Sequence, residues 1–512
     1  MSEKNLNRLK KLIQNLRTEE KRLALKHLSA YDTHNSGQKT KMRHLCKVIL
    51  KDSDIQYERI KELVSKNANS DAFNQLIKRT IERIRESLIL DVNIMRKGNY
   101  SIVFQKKFQI RKQIIECKIL GGRGLTLESS LLIEKLIKEA KRYELFDEIL
   151  ELLRMKQDTT VNLEGLKAYE HLENEILHYE NIRDYYLEAR KTINYYHAKI
   201  NFKASSKSNR ELMQSTKERL EEYAKQSNSV NISSMAYLVA MDYYEYTEQY
   251  EDNYHNCLAF LKLIRSKEII RSENREMYVI GKLIKNQMLN HKFNSAADFI
   301  QSSQKINIKS KNRLYYEIIV SKCFNEFYLG DLMGVANSQS KLDEFPIAKT
   351  ELESTKIFYY KAMYYFSKEE FRQANLLLQN LPLLEKDKEG WNVWLKIMRI
   401  LSSIELLRLE LIDYDIANFQ KYMQRIERKH ELSKRDKQIV KVLHVLDRND
   451  FDFKATFKEV EPTLVLLSSK DGEYRWKPLS PEIVLFHDWF YSKLHDKPYK
   501  PNMERYKALS ES

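Results

Sequence analysis

Three residues on one predicted helix have the types and spacing that could bind a metal ion. His171, Glu175 and His178 are four and three positions apart, so on an α-helix they lie within a sector of about 60°. Two imidazoles and one carboxylate on such a face could bind a metal. The Glu-x-x-His step recurs at Glu427 and His430, in a charge-dense stretch without apolar neighbours. Two such matches are unsurprising in a chain with 72 acidic residues and 12 histidines, so we predict no metal site and no cofactor.

The sequence motifs of the common enzyme classes are missing from the chain. It contains no HExxH, no GxSxG, no Walker A sequence and no GxGxxG on a predicted strand. We therefore predict that the protein is not an enzyme, although an all-helical lyase or hydrolase with dispersed site residues would also lack these motifs.

The composition predicts long helices joined by short turns. Gly and Pro number only 11 and 7 in 512 residues, against roughly one residue in eight in average proteins. Hydrophobic residues make up 42% and charged residues 31% of the chain, which suits a globular protein with a real core. Because 512 residues exceed what a single core usually serves, we expect either several domains or one elongated repeat array.

A pattern that recurs every 39 to 43 residues favours the repeat array. Tyr250, Phe293, Leu332 and Phe371 hold the same place in four successive units, each after a Tyr-rich stretch of helical periodicity, and their separations are 43, 39 and 39 residues. One pair of helices cannot bury its apolar face alone. The period therefore predicts a stack of helical hairpins.

The fourth unit, ESTKIFYYKAMYYFSKEEFRQANLLLQNLP, resembles a tetratricopeptide repeat. In it, large and small residues alternate where that family packs its helices, at Phe358, Ala362, Tyr365, Phe371, Ala374 and Leu378. The resemblance implies an all-α fold, a right-handed α-solenoid of tetratricopeptide-like hairpins, to which the apolar spacing at the two ends of the chain adds an N-terminal helical head and a C-terminal capping helix. The order of these parts also resembles that of uncharacterised cytoplasmic tetratricopeptide-like proteins of Bacteroidota.

Changes in composition divide the chain into five predicted segments. These are a basic helical head at 1–98, irregular hairpins at 101–230, tetratricopeptide-like repeats at 231–382, long C-terminal helices at 383–450 and a proline-containing tail at 451–512. In the tail, Ser480 and Pro481 suit the N-cap and first turn of a final helix, whose apolar face would consist of Ile483, Phe486, Phe490 and Leu494. We predict that this helix caps the open end of the array.

The repeat alignment predicts a groove for a protein partner. If the hairpins stack as tetratricopeptide units do, their first helices line a concave surface. Aromatic anchors with interleaved Lys would suit an extended or helical peptide that carries some acid. The alternative is that the same rings pack between repeats. The predicted groove residues are Tyr278, Lys282, Lys285, Phe324, Phe327, Tyr359, Tyr360 and Met363.

The positive charge of the chain is concentrated in its first quarter. Residues 1–124 have 28 Lys and Arg against 13 Asp and Glu, whereas residues 125–512 have 60 against 59. A concentrated positive field attracts nucleic acid, anionic membrane or an acidic protein surface. No RNA-binding or zinc-finger signature is present, so contacts to nucleic acid would be to phosphates. The candidate residues are Lys78, Arg79, Arg83, Arg85, Lys106, Lys107, Arg111, Lys112 and Lys118.

The cysteines and the hydropathy predict a cytoplasmic location. The four Cys are far apart without a CxxC pair. The chain begins without the apolar region of a signal peptide, and no apolar run has the roughly 18 residues of a membrane span. We predict a cytoplasmic, non-enzymatic scaffold or adaptor that binds a protein partner in the groove. The alternatives are a nucleic-acid- or ribosome-associated factor that docks through residues 1–124, and a peptide-responsive regulator.

Overall fold

The structure is a computed structural model in which every described regular element is helical. It describes residues 2–507 apart from 31–40, 53–54, 66–68, 90–99, 164, 203–205, 305–311, 385–386, 388–389, 408, 428–432 and 471. These described residues contain 24 α-helices and no β-strand, which confirms the all-α prediction. The chain forms two compact units, residues 1–180 and 181–512.

The first unit consists of a helical bundle followed by a set of three helices. Helices α1 to α5 surround a core that includes Leu9, Leu28 and Phe73, and α6 packs on α7 and α8. The predicted break at residue 98 lies outside the described residues. The unit contains α1 (Ser2–Asn15), α2 (Thr18–Ser29), α3 (Lys41–Lys51), α4 (Tyr57–Ser65), α5 (Ser70–Ile89), α6 (Ile102–Gly122), α7 (Thr126–Arg142), α8 (Phe146–Leu163) and the start of α9 (Leu166–Phe202).

The second unit is a stack of antiparallel helical hairpins. Successive helices from α10 to α20 pack on one another, and α13 also packs on α15, so the first helices of these two neighbouring hairpins are in contact. Its helices are α10 (Ser206–Ser227), α11 (Val230–Tyr246), α12 (Tyr250–Ser266), α13 (Glu273–Leu289), α14 (Phe293–Ser303), α15 (Arg313–Leu329), α16 (Leu332–Asp343), α17 (Glu351–Ser367), α18 (Phe371–Asn380), α19 (Trp391–Glu405), α20 (Leu409–Glu427), α21 (Lys434–Arg448), α22 (Phe453–Leu467), α23 (Phe486–Leu494) and α24 (Glu504–Lys507).

The repeat phase predicted from the sequence is correct. Tyr250, Phe293, Leu332 and Phe371 are each the first residue of the second helix in a hairpin. The first helices of the same hairpins begin after a polar N-cap whose side chain accepts a hydrogen bond from a backbone N–H three residues later. These N-caps are Ser229, Ser272, Asn312 and Thr350.

The hairpin turns share a backbone signature that the sequence did not reveal. Two residues before each second helix, the chain adopts a left-handed conformation, with φ of 57° at Glu248, 58° at His291, 74° at Gly330 and 61° at Glu369. Glycine adopts this conformation without strain, but only one of these four positions has it. A search for turn glycines therefore misses the other three turns.

The fourth hairpin packs as the tetratricopeptide resemblance implies, with one correction. Ala362, Ala374 and Leu378 are fully buried, which lets α17 approach its neighbours closely. Phe358 was expected in the same packing set, but its side chain is 42% exposed.

The C-terminal segment differs from the predicted capping helix. Helix α23 begins at Phe486 and has only nine residues, and residues 480–485 before it are not helical. Residues 472–506, which we call the C-terminal strap, contact hairpins as far back as the α11–α12 turn. The strap therefore lies along the repeats instead of covering their last helix alone.

Candidate partner-binding surface

The structure places most of the predicted groove residues in the hydrophobic core. Phe324, Phe327, Tyr359, Tyr360 and Met363 are at most 5% exposed, because helices of the adjoining hairpins and the strap cover them. Phe324 and Tyr360 pack edge to face, with ring centroids 5.2 Å apart. The expectation that these five side chains are available to a partner is therefore not met in this structure. The packing alternative describes them correctly.

Aromatic side chains of the strap occupy the space beside the first helices. The indole of Trp476 is fully buried and its ring centroid lies 4.9 Å from that of Tyr328, near the end of α15. The hydroxyl of Tyr328 accepts a hydrogen bond from the backbone N–H of Leu479 at 3.3 Å. Two residues further on, the carbonyl of Pro481 accepts one from the hydroxyl of Tyr359 at 2.8 Å.

Ion pairs hold the strap at both ends of this contact. Arg475 and Lys477 each donate to the carboxylate of Glu248 at 2.5 Å, in the α11–α12 turn. Burial opposes ionisation of Glu248, but these two cations outweigh it and lower the pKa of its carboxyl group. On α23, the indole N–H of Trp489 and the ammonium of Lys493 donate to the carboxylate of Glu405 at the end of α19, at 2.8 and 2.5 Å.

A buried ionic cluster joins the strap to α21. The guanidinium of Arg435 donates to both carboxylate oxygens of Glu482, at 2.5 and 2.7 Å, and approaches Nδ1 of His487 at 3.1 Å. Burial raises the pKa of Glu482 although Arg435 opposes the shift. Burial, with the charge of Arg435, holds the pKa of His487 well below its usual 6.5. Separating Arg435 from Glu482 would leave a buried charge without its partner, which is strongly unfavourable. The cluster therefore fixes the strap in one position.

Only the first three predicted groove residues remain partly accessible. Tyr278, Lys282 and Lys285 are half-buried on α13 and line a shallow depression of about 30 Å³ between α13 and α15. Lys282 forms an ion pair with Glu245. Glu317 and Lys356 occupy the position of Tyr278 in the next two first helices, 15 residues before the second helix begins. Both are also half-buried, so a partly exposed row crosses three hairpins.

Several of the predicted basic-surface residues are paired with acidic groups. The side chain of Glu148 is 2% exposed, and its carboxylate forms ion pairs with Arg111 at 2.5 Å and with Lys107 at 3.5 Å. Lys106 pairs with Glu139, Lys118 with Glu151 and Arg83 with Glu86. Five of the nine candidates thus join helices or neighbouring turns. The other four are exposed and lie outside ion-pair distance of any described carboxylate, namely Lys78, Arg79, Arg85 and Lys112.

The residues with possible metal-binding spacing do not converge on a shared site. His171 and His178 are exposed on α9, and Glu175 between them pairs with Lys141. Within the part of the chain that the structure describes, no three His, Cys, Asp or Glu side chains are grouped so as to hold a metal. The four cysteines are buried and unpaired. No described helix combines the length and the apolar character that crossing a membrane requires.

The fold and its turns define a helical-repeat protein of the tetratricopeptide-like class. The chain is similar to the crystal structure of a signal transduction ATPase with numerous domains that has a tetratricopeptide repeat sensor, from Pyrococcus horikoshii. Sequence identity is 13%, the match covers 80% of this chain and 64% of that one, and the TM-score is 0.40. The chain thus spans less than two thirds of that structure's length. No protein-family model and no curated protein matches the chain. The resemblance to Bacteroidota proteins stays a prediction.

Proposed function

We propose that the protein is a cytoplasmic, non-enzymatic scaffold that binds a segment of a protein partner on the row of first-helix residues that the strap leaves uncovered. The binding surface centres on Tyr278, Lys282 and Lys285, the end of the predicted groove that has no hydrogen bond, ion pair or ring contact with the strap among the described residues. Tyr278 is the aromatic anchor, since a half-buried ring offers contact area with little loss of side-chain entropy.

The observation that carries this proposal is the position of the strap. Within this one chain, a largely non-helical segment already lies against the first helices of successive hairpins, through Trp476, Leu479 and Pro481. The first-helix surface is therefore able to hold an extended segment. The stretch on α13 has the same place in the repeat and is partly exposed.

Exchange of the strap for a partner would cost most or all of the partner's own binding energy. Trp476, Phe486, Trp489 and Phe490 are all fully buried. Burying one such side chain stabilises a fold by about 1.5–3 kcal/mol, so the four together contribute about 6–12 kcal/mol. A micromolar partner supplies only about 8 kcal/mol in total. A partner at the open stretch meets no such competitor.

Affinity purification from the native cell tests the proposal. Partners recovered with the wild-type protein should fall about tenfold with Tyr278→Ala, the effect of losing about 1.4 kcal/mol of binding energy. Lys285→Glu should have the same effect without removing a packed ring. The control is Leu376→Ala, which truncates a 66% exposed side chain on α18 and should leave recovery unchanged. Equal recovery with all three variants would contradict the proposed surface.

Nuclease treatment of the same sample distinguishes binding of a protein partner from the alternative function, docking of nucleic acid. The pairing of Arg111, Lys107 and Lys106 with carboxylates weakens that alternative, which then relies on the four exposed cations of the first unit that have no described carboxylate partner. A protein partner should survive the treatment. Loss of every partner after nuclease would favour docking of nucleic acid on residues 1–124.

A further inference from the structure

A second concave site lies between α19 and α20, next to the end of α18. It is a cavity of about 520 Å³ whose lining includes four cationic side chains and a single carboxylate. Pockets that bind small ligands commonly have volumes of about 300–1,000 Å³. The cations are Lys396, Arg399, Lys421 and Arg425, and the carboxylate is Asp415.

The positive charge of this cavity is not neutralised by the described protein. No described carboxylate lies within ion-pair distance of Lys396, Lys421 or Arg425, and Asp415 alone opposes a charge of four. Arg399 is fixed by the backbone instead, since its guanidinium donates to the carbonyls of Leu378 and Leu381 at 2.8 and 2.9 Å. An excess of three positive charges in one concavity attracts an anion.

Tyr422 holds two of the cations at the cavity. The ammonium of Lys396 lies 5.0 Å from the centroid of the Tyr422 ring, and the guanidinium carbon of Arg425 lies 5.5 Å from it. Cation–π contacts of this kind orient a cation without neutralising its charge. Burial, Arg399 and Arg425 together lower the pKa of Lys396, so a bound anion would relieve an existing repulsion.

Asp415 supplies an acceptor beside the cations. Its Oδ2 atom is buried and has no hydrogen-bond partner among the described residues. The carboxylate lines the cavity, and its other oxygen, Oδ1, is the one that can accept a hydrogen bond from a hydroxyl or amino group on a ligand. The site thus combines anion recognition with one hydrogen-bond acceptor.

We propose that this cavity binds a small organic oxyanion, a carboxylate or phosphate with at least two negative charges, that also has a hydrogen-bond donor. Lys396, Lys421 and Arg425 contact the oxyanion groups, and Asp415 accepts the hydrogen bond. This site is separate from the proposed partner surface on α13, so either proposal can fail alone.

Isothermal titration calorimetry with the full-length protein at low salt tests this site. Citrate is the carboxylate probe and inorganic pyrophosphate the phosphate probe, and saturable one-to-one binding of either one supports the proposal. Lys396→Gln and Lys421→Gln should each weaken binding about tenfold, and exposed Lys421 can be replaced without disturbing the core. Lys497→Gln makes the same change of charge at an exposed position elsewhere and should leave the affinity unchanged.

A second measurement tests Asp415 as the hydrogen-bond acceptor. Citrate should bind more tightly than tricarballylate, which has the same three carboxylates but no hydroxyl, and Asp415→Asn should reduce that ratio towards one. Absence of saturable binding for both probes would overturn the proposal. So would equal affinities in the wild type, Lys396→Gln and Lys421→Gln, because binding would then be nonspecific attraction to a basic protein.

Discussion

The hydroxyl of Tyr359 donates a 2.8 Å hydrogen bond to the carbonyl oxygen of Pro481, a residue 122 positions further along the chain. Both groups are buried. The bond joins the first helix of the fourth hairpin to the strap, so a ring that the repeat pattern places in an open groove has its polar atom satisfied inside the protein. It explains why Tyr359 is part of the core.

Removing this hydroxyl should destabilise the fold modestly. In Tyr359→Phe the Pro481 carbonyl keeps its bond from the backbone N–H of Ile483 and loses the other. We expect the free energy of unfolding in urea to fall by about 0.5–1.5 kcal/mol, the usual net value of one hydrogen bond. The control is Tyr195→Phe, whose ring is 60% exposed. An unchanged stability in Tyr359→Phe would mean that the bond does not form.

Much of the second unit could be predicted from its sequence, because the first residue of each second helix is large and regularly spaced. Tyr250, Phe293, Leu332 and Phe371 marked the hairpins correctly. The accessibility of Phe324 and Tyr359 could not be predicted in this way, because helical position identifies the face of a residue and not what covers it. The covering segment lies more than 100 residues away.

The strap was harder to predict from the sequence than the repeats. Trp476 lies between Arg475 and Lys477, in a tail with five of the seven prolines. Trp and Arg are enriched among the residues that anchor protein contacts, which agrees with the docking of this stretch on the repeats. The acidic partner, Glu248, is too distant in sequence to be matched without a structure. The buried position of His487 is likewise a consequence of tertiary packing.

The buried histidine should make stability depend on pH. His487 is fully buried and faces Arg435 at Nδ1, Asp488 at 3.6 Å from Nε2, and Arg505 beyond it. Its pKa is far below 6.5 in the folded protein, whereas in the unfolded chain it binds a proton below about pH 6.5. The unfolded state therefore gains more protons as the pH falls, and folding stability decreases below that pH.

We expect this histidine to contribute up to about 1.4 kcal/mol per pH unit between pH 6.5 and 5. The measurement is urea unfolding of the wild type and His487→Gln at pH 5, 6, 7 and 8. The difference in stability between the two proteins should narrow as the pH falls. Parallel pH profiles would show that His487 is not held neutral.

Replacing two glycines in the second unit with alanine should change the stability of the fold in opposite directions. Gly330 has φ of 74° in the α15–α16 turn, so Gly330→Ala should destabilise the protein by about 1 kcal/mol. Gly281 lies within α13, where an added Cβ would meet the Cγ1 atom of Ile318 at 3.8 Å, an ordinary contact. Gly281→Ala should stabilise by about 0.5–1 kcal/mol. Thermal unfolding measures both, and shifts of the same sign would contradict the turn geometry.

Two adjacent cations in the first unit should differ in their structural roles. Arg111 pairs with the buried carboxylate of Glu148, whereas Lys112 is exposed without a described carboxylate partner. Arg111→Gln should lower the unfolding free energy by about 1–3 kcal/mol because it weakens the pairing of a buried charge. Lys112→Gln should change it by less than about 0.5 kcal/mol. Equal changes in unfolding free energy for the two variants would show that the ion pair of Arg111 with Glu148 does not stabilise the fold.

The position of the strap is tested most directly by carbodiimide cross-linking, which joins only an amine and a carboxylate already in contact. Lys477 and Glu248 are 229 positions apart in sequence, yet their charged groups are 2.5 Å apart, and Lys493 lies 2.5 Å from Glu405. Peptide mass spectrometry should find both links within single chains, established by mixing isotope-labelled with unlabelled protein. The first link should disappear in Lys477→Gln while the second remains. Absence of both links from the folded wild type would contradict a strap that lies along the repeats.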